Sequence, residues 1–468
     1  MPVPSWVSDA VFYQIFPDRF ANGDPSNDPP GTQPWGSPPT MWGFHGGDLA
    51  GVRDRLDYLA DLGVNALYLN PIFESASNHR YNTTDYFRID HRLGDGETFA
   101  ALLQEAHRRG FRVILDGVFN HCGRGFSAFY DLMEREAHSA YRDWFHVRRF
   151  PLEAYGPGEA ENYQGWWDMK SLPKFNTSNP EVRRYLLGIA RHWIERGIDG
   201  WRLDVPNEID DDSFWAEFRQ VVKTANPEAY LVGEIWTPDP RWVGEAHFDG
   251  LMLYPLRDLL LDLLAREVSG PAQFLEGLAG LTNVFPEGFR DSHFLPLGSH
   301  DTERILTLCG KDARKVRLAA LVSLTFPGAP AVYYGDEIGL EGGKDPDSRR
   351  AFPWNESRWD RGLREHFKAL IRTRRNAPEL RRGEVVPLLA DDSVRVCAYG
   401  RRWEDRTAAV ALNASEAAQR FEIPVASLGW RDGLEVVDSL RGTRLTVRND
   451  RIEMRLPAFE GVLLLPRA

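Results

Sequence analysis

Cysteine is scarce in this chain. Its 468 residues include three, Cys122, Cys309 and Cys397, and their spacing is not that of a metal site. A small, odd number of cysteines argues against a disulfide framework and is typical of a protein in a reducing compartment. The N-terminus lacks a basic stretch followed by an apolar core, and no apolar run is long enough to cross a membrane. We therefore expect a cytoplasmic protein without a membrane partner.

Positive charge is also in deficit. The net charge is −12, and no basic run or basic–aromatic alternation is present, which argues against nucleic acid as the main partner. There are no internal repeats and no low-complexity segments. The chain is long enough to form a large domain and a smaller one. It also contains 15 tryptophans, and the tryptophan side chain often forms a flat platform for a ligand.

The first half of the chain repeats one pattern. Short apolar runs at 11–17, 64–71 and 111–118 are typical of strands, and the segments 49–62 and 97–109 have helical periodicity and end at a glycine. Further strands are predicted to end near Asp204 and Glu234 and to lie near 248–253, 292–298 and 330–334. Eight such units predict an α/β fold, a closed (β/α)₈ barrel, whose chemistry lies at the carboxyl ends of its strands.

Two segments depart from this pattern. Residues 122–178 are rich in Gly, Pro and aromatics without a clear period, which predicts an insertion after the third strand. After about residue 382, short alternating runs predict an antiparallel β-sandwich. The predicted domains are therefore a catalytic barrel (1–121 and 179–381), an inserted domain (122–178) and a C-terminal sandwich (382–468).

The segment 197–209, GIDGWRLDVPNEI, is the one around which the chain is organised. Residues two apart in a strand share a face, so Arg202 and Asp204 project together, and the arginine keeps the carboxylate ionised. This suits a nucleophile or an electrostatic stabiliser. Arg202 and Asp204 by themselves could equally form a structural ion pair at a strand end, and this alternative stays open.

Three other predicted strands also end in ionisable side chains. VILDGVFNHCG carries Asp116, Asn120 and His121, a second segment ends in Glu234, and a third in His300 and Asp301. Any one of these could be a structural polar residue, but several buried acids at strand ends are costly unless they are used. Two carboxyls on adjacent strands are what glycosidic cleavage needs, one as nucleophile and one as proton donor.

These four segments, in this order and spacing, resemble the four short conserved regions of the α-amylase family of retaining glycoside hydrolases. The resemblance implies that Asp204 is the nucleophile, Glu234 the general acid/base and Asp301 the third carboxylate. It implies supporting roles for Arg202, His121 and His300, a structural role for Asp116, and a stacking role for Tyr81 on the sugar that is cleaved.

A subgroup is also implied. LPKFN, which contains Lys174, resembles the MPKLN motif of neopullulanases, cyclomaltodextrinases and maltogenic amylases. Trp236 fits an aromatic platform for the leaving sugars, and Asp345 and Arg349 fit the non-reducing side of the substrate. Members of this subgroup normally begin with an extra N-terminal β-domain, whereas here the barrel pattern starts within about ten residues of Met1. A monomer and a homodimer therefore both remain open.

The loop FANGDPSNDP offers hard oxygen ligands. A polar turn, with Asx side chains bonded to their own backbone, is the reading that the residues favour by themselves. The resemblance implies instead a structural calcium ion, with no organic cofactor, since six to eight oxygen ligands suit that ion. The implied ligand set is Asn22, Asp24, Asn27, Asp28, Gly46 and Asp48.

We thus predict a retaining α-glycosidase that hydrolyses α-1,4-glucosidic bonds in maltooligosaccharides, starch, pullulan or cyclodextrins, with α-1,6 cleavage left open. A glucanotransferase or trehalose-forming isomerase on the same scaffold is the first alternative. A non-catalytic sugar-binding or scaffold barrel is the alternative from another class. Such relatives typically lack the acids, whereas all three stand here.

Overall fold

The structure is a computed structural model that describes residues 2–467. Its main sheet has eight strands, every neighbouring pair parallel. In chain order the eight barrel strands are Phe12–Ile15, Ala66–Leu69, Arg112–Gly117, Gly200–Leu203, Tyr230–Gly233, Gly250–Leu251, Phe294–Pro296 and Ala329–Tyr333. A parallel bridge between Met252 and Phe294 joins the two edge strands, so the sheet closes on itself. The predicted (β/α)₈ barrel is confirmed.

Helices alternate with these strands. The α-helices are Pro17–Phe20, Leu49–Asp54, Leu56–Leu62, Gly96–Arg108, Ser127–Arg135, Pro180–Glu195, Asp212–Ala225, Tyr254–Leu264, Pro271–Asn283, Ile305–Leu308, Ala313–Thr325, Arg361–Asn376 and Pro378–Arg381. Short 3₁₀ turns cover Pro25–Asn27, Glu136–His138, Arg142–Trp144, Trp166–Asp168, Pro206–Glu208, Pro240–Trp242, Glu287–Phe289, Asp336–Ile338, Asp347–Arg349, Glu356–Arg358 and Ala426–Leu428.

The barrel helices follow the predicted periodicity with one difference. The segment 49–62 is two helices, because the backbone of Arg55 leaves the helical region (φ −103°, ψ 8°) between Leu49–Asp54 and Leu56–Leu62. The Arg55 guanidinium lies 4.0 Å from the centre of the Trp354 ring, a cation–π contact at this break. The sequence period alone does not show such a break, because apolar positions continue through it.

The insertion contains more regular structure than its composition indicates. An amphipathic helix, Ser127–Arg135, buries Phe129 and Leu132, and a bridge between His121 and Lys174 ties the end of the segment to the barrel. An antiparallel hairpin of Phe73–Ser75 and Thr83–Ile89 lies beyond the second barrel strand. The hairpin and the insertion both follow barrel strands at their carboxyl ends, so both border that face of the barrel.

The C-terminal region is antiparallel, as predicted. A six-stranded sheet has the spatial order Glu384–Asp391, Val396–Trp403, Arg406–Asn413, Glu460–Pro466, Glu435–Asp438 and Arg444–Thr446, and a second sheet pairs Gln419–Pro424 with Arg451–Leu456. One face of the larger sheet belongs to the same apolar core as the barrel helices; Tyr399, Val410 and Leu463 lie in it. The other face forms a separate core with the small sheet.

Within residues 2–467, no helix combines the length and the apolar character that crossing a membrane requires. The three cysteines are free and buried. The barrel interior is filled by its own apolar cluster, which includes Phe12, Tyr230 and Phe294. The barrel is therefore a packed core rather than a pore, and its polar side chains collect at one end.

Candidate active site

Arg202 lies at the centre of the polar cluster. Its Nη1 is 2.8 Å from Asp116 Oδ1 and 3.0 Å from Asp204 Oδ1, and its Nη2 is 2.9 Å from Glu234 Oε2. The side chain is 1% exposed. The register of the fourth and fifth barrel strands sets Leu203 opposite Gly233, so the two acids follow as neighbours. One guanidinium therefore holds three carboxyl groups.

These acids titrate abnormally. Burial raises the pKa of Glu234 to about 7, with Arg202 opposing the shift and the charge of Asp301 adding to it. Burial also raises the pKa of Asp204, again against Arg202. Because one buried positive charge faces several carboxyls, burial favours the protonated form of Glu234 up to about pH 7. A carboxyl that keeps its proton in this range can act as a general acid beside a carboxylate.

The turn after Asp204 is strained. Val205 has φ 35° and ψ 51°, a left-handed conformation that is an outlier for a β-branched residue. Its backbone N–H donates to Glu234 Oε2 at 3.2 Å. The turn thus binds one oxygen of the second acid, and strain of this kind concentrates at functional sites.

A chain of hydrogen bonds fixes Tyr81 and His300. Gln14 Nε2 lies 3.0 Å from His300 Nδ1, so with the amide as donor the proton of the imidazole is on Nε2. His300 Nε2 is 2.5 Å from the Tyr81 hydroxyl, which donates to Asp116 Oδ2 at 2.7 Å. The Tyr81 and His300 rings are stacked with an interplanar angle of 6°. Burial, followed by Arg349 and Arg202, lowers the pKa of His300 well below its usual range, so its ring is neutral.

Asp301 connects the centre to the next loop. His300 Nε2 is 3.2 Å from Asp301 Oδ2, and Arg349 Nη2 is 3.6 Å from Asp301 Oδ1. Arg349 Nη1 is also 3.2 Å from Asp345 Oδ1, and its Nε donates to the carbonyl of His300. Burial raises the pKa of Asp301 while Arg349 opposes the shift. The predicted pair Asp345 and Arg349 therefore borders the third acid.

The insertion covers His121. This residue is buried, and Asn120 Nδ2 lies 3.3 Å from its Nδ1, which leaves Nε2 as the donor when the amide donates. Burial lowers the pKa of His121 to about 3. Lys174, bridged to His121 along the backbone, donates through Nζ to the carbonyl of Glu208 at 2.6 Å. The bridge thus ties the inserted segment to the strand end that carries His121.

Trp236, two residues after Glu234, is an exposed aromatic of the site. It is 47% exposed and stacks on Tyr254 with ring centres 3.9 Å apart and an interplanar angle of 3°. Tyr254 in turn donates to Ser299 at 3.1 Å. A flat ring that is supported on one face and open on the other is suited to stack against a sugar.

The structure brings the loop 22–28 against Gly46 and Asp48. Asn22 Nδ2 donates to both oxygens of Asp28, at 2.9 and 3.1 Å, and the buried amide oxygens of Asn22 and Asn27 have no hydrogen-bond partner. A Cβ on Gly46 would lie 2.2 Å from Asp28 Oδ1, so only glycine leaves that carboxylate its place. Unpartnered buried oxygens beside a carboxylate fit a hard cation.

Two members of the predicted calcium set have other contacts. Asp48 caps the helix Leu49–Asp54 by accepting from Gly51 N at 2.6 Å, and it also accepts from the N–H groups of Gly23 and Asp24. The side chain of Asp24 faces Ser26 at the surface. Asp24 thus joins the cluster through its backbone rather than through its carboxylate.

Sequence reasoning missed several participants. Gln14 and Asn70, which fix His300 and Tyr81, lie in and directly after the first two barrel strands. The rule that singled out Asp204, polar side chains at strand ends, would have found both. Tyr254, the support of Trp236, and Trp166, which stacks on His121, carried no such signal, because their role depends on contacts between distant segments.

A (β/α)₈ barrel with two buried carboxyls on one arginine and flanking aromatics at the carboxyl ends of its strands defines the class: a carbohydrate-cleaving enzyme of the acid/nucleophile type. A family model described as "Alpha amylase, catalytic domain" matches residues 14–382. The chain belongs to the α-amylase family and is a glycoside hydrolase.

Relatives with known names lie within one group of that family. A cyclomaltodextrinase of Geobacillus thermopakistaniensis (strain MAS1) is 46% identical over 463 residues, 98% of this chain and 77% of that protein. Neopullulanase 2 of Thermoactinomyces vulgaris is 44% identical over 98% of this chain and 78% of its own length. The structure of a cyclic α-maltosyl-(1→6)-maltose hydrolase from Arthrobacter globiformis, in complex with cyclic α-maltosyl-(1→6)-maltose, superposes with a TM-score of 0.90 and 43% identity, covering 99% of this chain and 100% of that one.

Proposed function

We propose that this enzyme cleaves α-1,4-glucosidic bonds in short linear and cyclic maltodextrins with retention of the anomeric configuration. The observation that carries the proposal is that Arg202 contacts both Asp204 and Glu234. A retaining pair needs its carboxyls only about 5 Å apart, and a shared guanidinium keeps them close. The names of the relatives, cyclomaltodextrinase and neopullulanase, supply the substrate class.

The residues have distinct roles in this proposal. Arg202 holds Asp204 Oδ1, so Oδ2 attacks the anomeric carbon while Glu234 gives its proton to the leaving oxygen and the glycosidic bond breaks. Water then attacks the same carbon, Glu234 takes a proton from it, and the bond to Asp204 breaks. Asp301, His121 and His300 bind hydroxyl groups of the same sugar, and Tyr81 stacks on it.

Two further elements position the substrate. Trp236 is the platform for the leaving sugars, and Lys174 on the insertion, held by the carbonyl of Glu208, binds a sugar hydroxyl. Asp345 and Arg349 hold the non-reducing side, next to Asp301. We also propose one structural calcium ion bound by Asn22, Asn27, Asp28 and the Gly46–Asp48 segment, supported by the unpartnered amide oxygens there. It would stabilise the loop and supply no step of the reaction.

We propose a cytoplasmic location. The support is the three free, buried thiols, which need no oxidising compartment, and a relative named "Intracellular maltogenic amylase" from Bacillus subtilis that is 39% identical over 90% of this chain. Fractionation of the native host with detection of this chain tests it; recovery from the culture medium would overturn it.

The decisive experiment is proton NMR of an early maltohexaose digest. The α-anomer of shorter maltosaccharides is expected first. Release of the β-anomer would refute the retaining mechanism, and products longer than the substrate as the main species would favour the glucanotransferase alternative.

Variants then separate the roles of the two acids. With α-maltosyl fluoride, whose leaving group needs no proton, Glu234→Gln should still form the glycosyl-enzyme, whereas Asp204→Asn should not. Equal losses for both variants on this substrate would contradict the assignment of nucleophile and acid.

A further inference from the structure

Three rings form a continuous stack from the buried centre to the surface, and we call His121, Trp166 and Trp167 the aromatic ladder. The ring centres of His121 and Trp166 are 5.2 Å apart, and those of Trp166 and Trp167 are 4.6 Å apart. Both pairs are stacked with an interplanar angle of 16°. His121 is fully buried, whereas Trp167 is 72% exposed. The ladder therefore extends the proposed sugar-binding surface outward from His121.

The outer ring is held at a conformational cost. Trp167 has φ 47° and ψ 36°, and Asp168 after it has φ 55°. Two successive non-glycine residues in the left-handed region are rare, and a bulky aromatic there is an outlier. Packing does not explain the position, because most of the Trp167 side chain faces solvent. Strain combined with exposure is what a ligand-binding residue shows.

The middle ring carries an unused donor. Trp166 Nε1 is buried and has no hydrogen-bond partner within the described part of the chain. Buried N–H groups are normally satisfied, so an acceptor that is not part of the chain is expected here. The hydroxyl groups of a sugar are such acceptors. Trp167 adds an open ring face beside this donor.

We infer that the aromatic ladder forms a further sugar-binding position, in which Trp166 Nε1 donates to a hydroxyl and Trp167 stacks on a glucose unit of the same α-glucan chain beyond the unit that is cleaved. This inference rests on the proposed function and extends it from the scissile bond to chain length. Its consequence is that longer maltodextrins gain affinity from the ladder, whereas a substrate of two glucose units does not reach Trp167.

The test compares a maltohexaose with an aryl α-maltoside, measuring kcat/KM for each. Trp167→Gly removes the ring and suits the positive φ. The kcat/KM for maltohexaose, divided by the kcat/KM for the aryl maltoside, should fall about three- to tenfold, as expected for the loss of one stacking contact. The melting temperature should not fall. Tyr130→Ala, which removes an aromatic that is 54% exposed on the helix Ser127–Arg135, is the matched control and should leave the ratio unchanged.

Trp166→Phe keeps the stack and removes the N–H, and it should lower the same ratio about threefold. An unchanged ratio in both Trp variants would overturn the inference. So would a lower melting temperature of Trp167→Gly with equal losses on both substrates, which would make the ring a packing element. A shift from dimer to monomer in sedimentation of Trp167→Gly would make it a subunit contact. If the unaltered enzyme cleaves neither substrate, the proposed function itself fails.

Discussion

Replacing Glu234 by Gln should stabilise the enzyme at alkaline pH while inactivating it. The pKa of Glu234 is about 7 in the folded protein, against 4.5 for the ordinary side chain. Below pH 4.5 the carboxyl is protonated in both the folded and the unfolded chain, and its contribution to stability is neutral. As the pH rises from about 4.5 to about 7, the unfolded chain loses its proton before the folded protein does. The folded state therefore becomes progressively less stable across this range.

The size of the effect follows from this difference. Each pKa unit corresponds to about 1.4 kcal/mol, so ionised Glu234 costs about 3 kcal/mol above pH 7. Glutamine has no such cost. A chain of this length has an unfolding entropy of about 1 kcal/mol per kelvin, so the melting temperature of Glu234→Gln should exceed that of the unaltered enzyme by about 3 °C at pH 8.5. Near pH 4.5 the two melting temperatures should coincide.

Scanning calorimetry across pH 4.5 to 8.5 measures this difference. Glu217→Gln, at a carboxylate whose side chain is 50% exposed, reports the effect of the same exchange on the surface. A stability difference between Glu234→Gln and the unaltered enzyme that does not grow with pH would refute the reasoning. It would mean that burial of Glu234 is compensated by its contacts with Arg202 and Val205.

Other expectations concern the reaction and the loop at Asp28. Because the general acid must be protonated, kcat/KM for maltohexaose should fall about tenfold per pH unit above about 7, and a profile flat to pH 9 would exclude Glu234 as the acid. Asp204→Asn should lower turnover about 10³-fold or more while circular dichroism stays unchanged; near-native turnover would exclude it as the nucleophile. A chelator should lower the melting temperature, added Ca²⁺ should restore it, and Asp28→Asn should abolish the response; a melting temperature indifferent to both would contradict the calcium proposal.

Much of the fold could be read from the sequence because its signals are local. Gly197, with φ +99°, lies between a helix and a strand as predicted, and the strand to Leu203 delivers Asp204 where alternation places it. The helix Ser127–Arg135 was missed because it lies within a segment otherwise made of turns and single bridges. The pattern also could not show the break at Arg55, which coincides with a contact to Trp354, a residue about 300 positions away.

The candidate site was predictable in its acids but not in their electrostatics. Spacing places Asp204 and Glu234 at neighbouring strand ends, but only the structure shows Arg202 between them and the N–H of Val205 on Glu234. Likewise, the resemblance of LPKFN to the MPKLN motif predicts a role for Lys174, whereas the stack of Trp166 on His121 depends on how the insertion folds back. Contacts between distant segments are what a single sequence does not contain.

The sharing of one apolar core by the barrel helices and the C-terminal sheet has a practical consequence. Gly461 lies so close to Leu318 and Leu321 that a Cβ there would meet their side chains at 2.9 and 2.5 Å, and Tyr399 contacts the hydroxyl of Thr325 on the same helix. Removing the residues after 382 would strip an apolar cover from that helix. A shortened enzyme that ends near residue 382 is therefore expected to lose stability. A fusion partner is better attached near the small sheet of Gln419–Pro424 and Arg451–Leu456, which does not cover the barrel helices.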